Sequence, residues 1–151
     1  MKVTVLLRND HESLQELFDR LKRTSVRDQN GKKEVFNEIQ REILIHSQME
    51  SEIFYPALRA TTSTRATELV ASAEQEHQAV EKLLDEINGL NGTEKNFDAK
   101  MTTLMEEVGR HVKMEEEEIF DEARKNLPEY RLEELGLEME DRRRILTTLA
   151  A

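Results

Sequence analysis

Cysteine and tryptophan are missing from these 151 residues, proline occurs twice and glycine five times. Without cysteine there is no disulfide and no thiolate-ligated metal, and thiols give no hint of the redox compartment. Aromatic residues make up only 5% of the chain. No apolar run is long enough to span a bilayer, and the one in MKVTVLLRND is too short for a signal peptide. No glycine-rich phosphate loop and no nucleophile–histidine–acid arrangement can be found. The formal charge of −10 argues against nucleic acid and anionic lipid as partners. Arg142, Arg143 and Arg144 are too short a run to reverse that. A cytoplasmic protein is expected, in which the sequon Asn91-Gly92-Thr93 stays idle.

What is abundant is charge, at 36% of residues, in a background of Glu, Leu, Lys and Arg that favours long helices. Turn-type clusters at 25–31, 61–66, 88–96 and 126–130 separate five segments of helical periodicity, and no strand-like alternation competes with them. The first four show sustained three-four spacing. Leu7, His11, Leu14, Phe18 and Leu21 share one face. So do Phe36, Ile39, Ile43, His46, Met49/Glu50 and Ile53; then Val70, Ala73, His77, Val80 and Leu84; and last Met101, Leu104, Val108, His111, Glu115 and Ile119. This pattern predicts an all-α fold, an antiparallel up-down-up-down four-helix bundle over about 3–126. A C-terminal helix over about 129–149 is expected to pack across it, although Gly136 weakens helix propensity at its middle. The whole of 1–151 reads as one domain.

The chain has four histidines, and each falls on the apolar stripe of a different helix. If seam positions are about two in seven, chance would place all four there on the order of 1% of the time. The stretches HSQMESEIF (46–54) and HVKMEEEEIF (111–120) each add a Glu four residues after the His, on the same helix face. Counted from the turns, His11, His46 and His77 lie level. His111 is offset from them by about 6 Å at 1.5 Å per residue, which shrinks if its helix starts near Asp98 as N-cap. A single histidine on an apolar face is ordinarily a satisfied core residue. Six ionisable groups in one core layer are different, because each polar group buried without a partner costs roughly 1–3 kcal/mol. A bound cation turns these imidazoles and carboxylates into ligands.

Four imidazoles and two carboxylates from four helices would crowd one ion. Two ions about 3.5–4 Å apart, bridged by Glu50 and Glu115, use the set naturally. Nitrogen and oxygen ligation without sulfur suits iron first, then manganese or zinc. The ferritin-like arrangement needs two Glu-x-x-His motifs, and only Glu74 to His77 supplies one.

NDHESL on the first helix, His-x-x-x-Glu running into IFYPAL on the second, EHQAV on the third and HVKMEEEEIF on the fourth together resemble the hemerythrin-like HHE cation-binding family. The resemblance spans roughly residues 8–125. It implies a four-helix bundle holding two non-haem iron ions, oxo- or hydroxo-bridged, on His11, His46, Glu50, His77, His111 and Glu115. The oxygen-carrying members have a further histidine four residues before the equivalent of His77. Ala73 stands there in this chain, so Glu74, Glu81 or water is expected in its place. The four-His, two-Glu set is similar to bacterial members linked to repair of nitrosatively damaged iron centres. The fourth-helix run and the EELGLEMEDRRRIL tail also resemble the iron-sensing domain of a eukaryotic F-box protein.

The resemblance implies reactivity toward O₂, NO or peroxide in oxidative or nitrosative stress or iron homeostasis. An iron- or oxygen-responsive sensor acting through a protein partner is the alternative, and iron storage or delivery a further one. Glu116, Glu117 and Glu118 are expected on a solvated face, with support of the ligands or iron relay as the alternative; Met49 and Met114 are expected as core filler; and Tyr55 is expected packed at the end of the second helix beside Pro56, with a place near the site as its alternative.

Overall fold

The computed structural model describes residues 1–25, 27–90 and 95–150. They form α1 (Val3–Arg23), α2 (Gln29–Met49), α3 (Thr64–Asn88), α4 (Lys95–Met114) and α5 (Glu129–Ala150). Strands are absent among the described residues. The helix starts follow from local chemistry. The Asp28 carboxylate accepts from the Gly31 N–H to cap α2, and Ser63 Oγ accepts from the Ala66 N–H to cap α3. Pro128 follows the extended Leu127 and separates the fourth helical column from α5. The sequon at 91–93 lies outside the described residues.

α4 begins at Lys95, ahead of the start expected near Asp98. Asp98 sits in its first turn, where it accepts from Lys32 Nζ at 2.9 Å. Lys32 is buried against Phe97, so the ammonium is given its counter-charge and ties the start of α2 to that of α4. From His111 back to its start α4 is longer than α3 is from His77 to its end. The histidines meet because α4 runs past the end of α3, not because it starts late.

α2 and α4 do not stop at Met49 and Met114. Each continues through one π turn, Glu50–Phe54 and Glu115–Ile119, into a short α segment, Tyr55–Arg59 and Phe120–Asn126. In both turns the N–H five residues on bonds back to the glutamate carbonyl: Tyr55 to Glu50, Phe120 to Glu115. A five-residue turn puts Tyr55 beneath Glu50 and Phe120 beneath Glu115, where an α-helix would rotate them well away. The buried stripe therefore shifts by one. Ile53, expected in the core, is half-buried, while Phe54, Tyr55 and Leu58 are fully enclosed. The Ile-Phe pairs of the two similar stretches are thus not equivalent. Phe54 matches Ile119, and Tyr55 matches Phe120.

The apolar core is in two parts. One is built around Phe18, Phe36, Ile39, Leu84, Phe97 and Leu104. The other is built around Leu7, Met49, Phe54, Leu58, Phe120 and Leu135 and includes the inner face of α5. Between them lies the layer that holds the four histidines and the two glutamates, so the polar residues cut the bundle's interior rather than decorate one end. Met49 is fully buried as core filler, and Met114 packs partly buried against the same cluster.

α5 lies against α1 and α2. Gly136, which lowers helix propensity, is there because of a close approach. A Cβ built on it would meet the Met1 carbonyl oxygen at 1.9 Å and backbone carbons of Met1 and Lys2 at 3.0 and 3.2 Å. Backbone on both sides leaves no flexible side chain to yield. Gly136→Ala is expected to cost about 1–3 kcal/mol through overpacking, despite alanine's better helix propensity. Urea denaturation checks the sign; a stabilised variant would mean that the two backbones separate freely.

Candidate metal centre

His11 projects from α1, His46 from α2, His77 from α3 and His111 from α4, with Glu50 and Glu115 at the first residue of each π turn. Both glutamates are 0% exposed, and the histidine rings only graze solvent, His46 most with its side chain 12% exposed. All four imidazoles turn Nε2 inward. His11 Nε2 lies 3.1 Å from Glu115 Oε1, His46 Nε2 3.2 Å and His77 Nε2 3.1 Å from Glu50 Oε1, and His111 Nε2 3.6 Å from Glu115 Oε2. His77 and His111 face each other Nε2 to Nε2 at 3.3 Å.

These distances are short, yet the angles of most are not those of hydrogen bonds. Nε2 of His11 and of His46, both oxygens of Glu50 and Oε1 of Glu115 are buried without a hydrogen-bond partner. Six side chains are aimed at common points rather than at one another. Two sets of ligand-capable atoms lie within 4.8 Å of one another: His11, His46, Glu50 and Glu115, and Glu50, His77 and His111. Leaving so many buried acceptors unmet would cost several kcal/mol. A cation at each set would meet them, so the residues fit metal ions on their own geometry.

Residues 3–123 match the Hemerythrin HHE cation binding domain. The chain belongs to this family. A hemerythrin HHE cation binding domain-containing protein from Mycobacterium kansasii superposes with a TM-score of 0.84 at 23% identity, over 97% of this chain and 87% of that one. A protein of Nostoc described as a DNA nickase is 25% identical over 91% of this chain and 38% of its own length. An uncharacterised hemerythrin-like protein of Schizosaccharomyces pombe is 26% identical over 80% of this chain and 58% of its own. The chain therefore spans less than two thirds of either of these curated relatives. The hemerythrin family binds metal ions, and the histidine and glutamate clusters of this hemerythrin domain can hold them.

The outer faces of the imidazoles are treated unequally. His11 Nδ1–H donates to Glu116 Oε2 at 2.7 Å, and Arg8 Nε reaches the other oxygen of that carboxylate at 3.3 Å. His46 Nδ1–H donates to Asp10 Oδ2 at 3.0 Å, and Asp10 is gripped in turn by Arg143 of α5 through both oxygens. Among the described residues His111 Nδ1 has only Glu76, at 3.4 Å, and His77 Nδ1 is buried with no partner. A carboxylate can only accept, so it fixes the proton on Nδ1 and leaves the Nε2 lone pair free for a metal. Glu116 is thus not on a solvated face, as its place in the run suggested. Glu118 is on the surface, paired with Arg65.

Glu74 and Glu81 do not reach this hemerythrin centre. Glu74 pairs with Arg59, and Glu81 is exposed. The group that does reach it is Tyr55, expected to pack at the helix end beside Pro56. Its hydroxyl donates to Glu115 Oε2 at 2.6 Å and stands 3.5 Å from His77 Nε2. Five-residue spacing from Glu50 was the missed signal, and it points inward only in a π turn. The matching residue on the other side, Phe120, stacks on His11 at 6.1 Å and carries no hydroxyl.

Burial opposes a charge on His46, but Glu50 and the bond to Asp10 outweigh it and hold that imidazole well above its ordinary pKa. Burial likewise opposes ionisation of Glu50, yet His46 keeps it well below the usual carboxylate value. Glu115 moves up, through burial and the charge of Glu50. Tyr55 is pushed well up by burial and by both carboxylates, which keeps its proton in place. The charge on His46 favours the metal-free fold at low pH, and this contribution fades as pH rises through the raised value. A metal needs the imidazole neutral, so its affinity moves the opposite way. Metal uptake is expected to release protons, and affinity to fall on acidification. Calorimetry in buffers of different ionisation enthalpy measures the release; a release that does not grow as pH is lowered would contradict the raised pKa of His46.

Proposed function

We propose that this domain holds two iron ions, one in each ligand set with Glu50 common to both, and binds or reacts with O₂, NO or peroxide. The observation that carries the reading is the convergence of the unmet Nε2 and carboxylate atoms beside a cavity of about 30 Å³. All four histidines line that cavity, with Leu14, Ile43, Val80 and Val108 as its apolar walls. A volume near that of one water molecule admits a diatomic or a peroxide and excludes larger organic substrates. Iron, when bound, supplies one-electron chemistry and an open position for a small ligand.

The chain's own residues do the rest. The apolar walls exclude bulk water and lower the local dielectric. Tyr55 O–H, keeping its proton beside Glu115, is a hydrogen-bond donor held at the edge of the site. The narrow, apolar-walled site suits a role in oxidative or nitrosative stress or iron homeostasis, in the cytoplasm. Nicking of DNA, named for the Nostoc relative, is not carried over. The charge of −10 opposes phosphate contact, and the chain spans 38% of that protein.

Metal analysis and the absorption spectrum of the isolated protein test the reading, with O₂, NO and peroxide then added separately. Two irons per chain and a spectrum that responds to at least one of the three are expected. No iron taken up, or a spectrum indifferent to all three, would reject it. Tyr55→Phe is expected to keep both ions while changing the rate of that response about 10-fold or more, as loss of a positioned donor does. A sensor role is the second reading, favoured by the link from His46 through Asp10 to Arg143 on α5. Chelation should then alter the protease sensitivity of α5 ahead of the bundle.

A further inference from the structure

We propose that the two cation positions are unequal: the one at His11 and His46 fills first and holds its ion more tightly, while the one at His77 and His111 is the exchangeable one. This rests on the metal reading above and adds an order to it. Three independent observations point the same way.

The first is ligand number. The His11 set brings four ligand atoms within 4.8 Å, two of them carboxylate, against three atoms with one carboxylate in the His77 set. A divalent cation gains more from the second negative charge than from any neutral ligand.

The second is outer support. Both imidazoles of the His11 set rest on carboxylates that are themselves held by arginine, Arg8 on Glu116 and Arg143 on Asp10. Their rings are fixed in place before a metal arrives. Glu76, behind His111, is at 3.4 Å with a side chain 36% exposed, and His77 has nothing behind Nδ1.

The third is competition. Tyr55 O–H occupies Glu115 Oε2, the oxygen that faces His111, and leaves Oε1 for His11 and His46. The pseudo-equivalent Phe120 makes no such claim on the other glutamate. The hydroxyl thus tilts Glu115 toward the first set.

α5 enters the centre through this asymmetry. Arg143 touches no ligand, but it holds the carboxylate that holds His46, and its neighbour Arg142 binds Glu52 inside the first π turn. Arg143 is a positioning residue for the tighter site alone.

The test is a titration of the chelator-treated full-length protein with cobalt(II), followed by visible absorption and by NMR of the paramagnetically shifted, exchangeable imidazole N–H signals. Two such signals are expected up to one equivalent, and they belong to His11 and His46. Further signals should appear only in the second equivalent. Asp10→Asn is expected to weaken the first step about 10–100-fold, the usual cost of an outer partner, with the second step nearly unchanged. Arg143→Ala should do the same more weakly, and Arg142→Ala should leave both steps within about threefold. Glu76→Gln should touch only the second. Signals from all four rings growing together, or Asp10→Asn weakening the second step instead, would overturn the order while leaving a two-ion centre intact. No cobalt bound at all would remove the metal reading itself. Should Asp10→Asn lose its helical circular dichroism, the wild-type signal order still decides.

Discussion

Glu50→Gln should abolish binding at both of the proposed ion positions. Glu50 is the one residue shared by the two ligand sets among the described residues, and both its oxygens are buried without a partner. The amide keeps the shape but loses the charge and one of the two oxygens. Outer partners of a metal ligand are worth 10–100-fold in affinity, so loss of a shared, charged ligand should cost more than about 100-fold at each position. Stoichiometry by metal analysis should fall from two toward zero. Glu115→Gln gives the contrasting result. Its Oε1 faces His11 and His46, so the first position should suffer more than the second. Two ions retained by Glu50→Gln would show that the centre does not depend on Glu50.

Removing the metal should cost the fold more than any surface substitution. At free ion about a thousandfold above Kd, a site contributes about 4 kcal/mol, and two contribute about 8. For a chain of this size each kcal/mol moves the melting temperature by about 2–4 °C. Chelation is therefore expected to lower Tm by about 15–30 °C. The physical reason is the position of the polar layer between two apolar cores. Without cations the layer must be satisfied by protons and water, and the two cores lose the plate that joins them. A Tm that moves by less than about 5 °C would mean that the layer satisfies itself.

How far the sequence reached is clearest at particular residues. The helices were legible because apolar spacing and turn clusters agree, and the six candidate ligands because all four histidines and two Glu at four-residue spacing lie on that stripe. Helix starts were less so. Gln29 and Thr64 begin helices inside what composition marked as turns, since Asp28 and Ser63 are caps rather than loop residues. The misplacement of Tyr55 and Ile53 has one cause. The reading assumed α-helical spacing throughout, and the π turns break it at Glu50 and Glu115. That hid Tyr55 inside the centre and left Ile53 in the core on paper. Glu116 was hidden differently. Its partner His11 is 105 residues away, and no local pattern reports a pairing between helices. Gly136 looked like a flaw in α5 and proves to be the seat of the Met1 carbonyl.

The wide turns each place one residue more between ligand and core than an ordinary helix needs. Removing any one glutamate from 116–118 would let that column heal into ordinary helix. Phe120 would then follow Glu115 by four residues instead of five and keep its face, still over the apolar floor and beside His11. The glutamate run therefore carries a surplus position that the packing below it does not require. A one-residue deletion there should preserve the apolar packing, read by urea denaturation, whereas a deletion in the plain helix ahead of His111 would turn the residues before it about 100° from their partners.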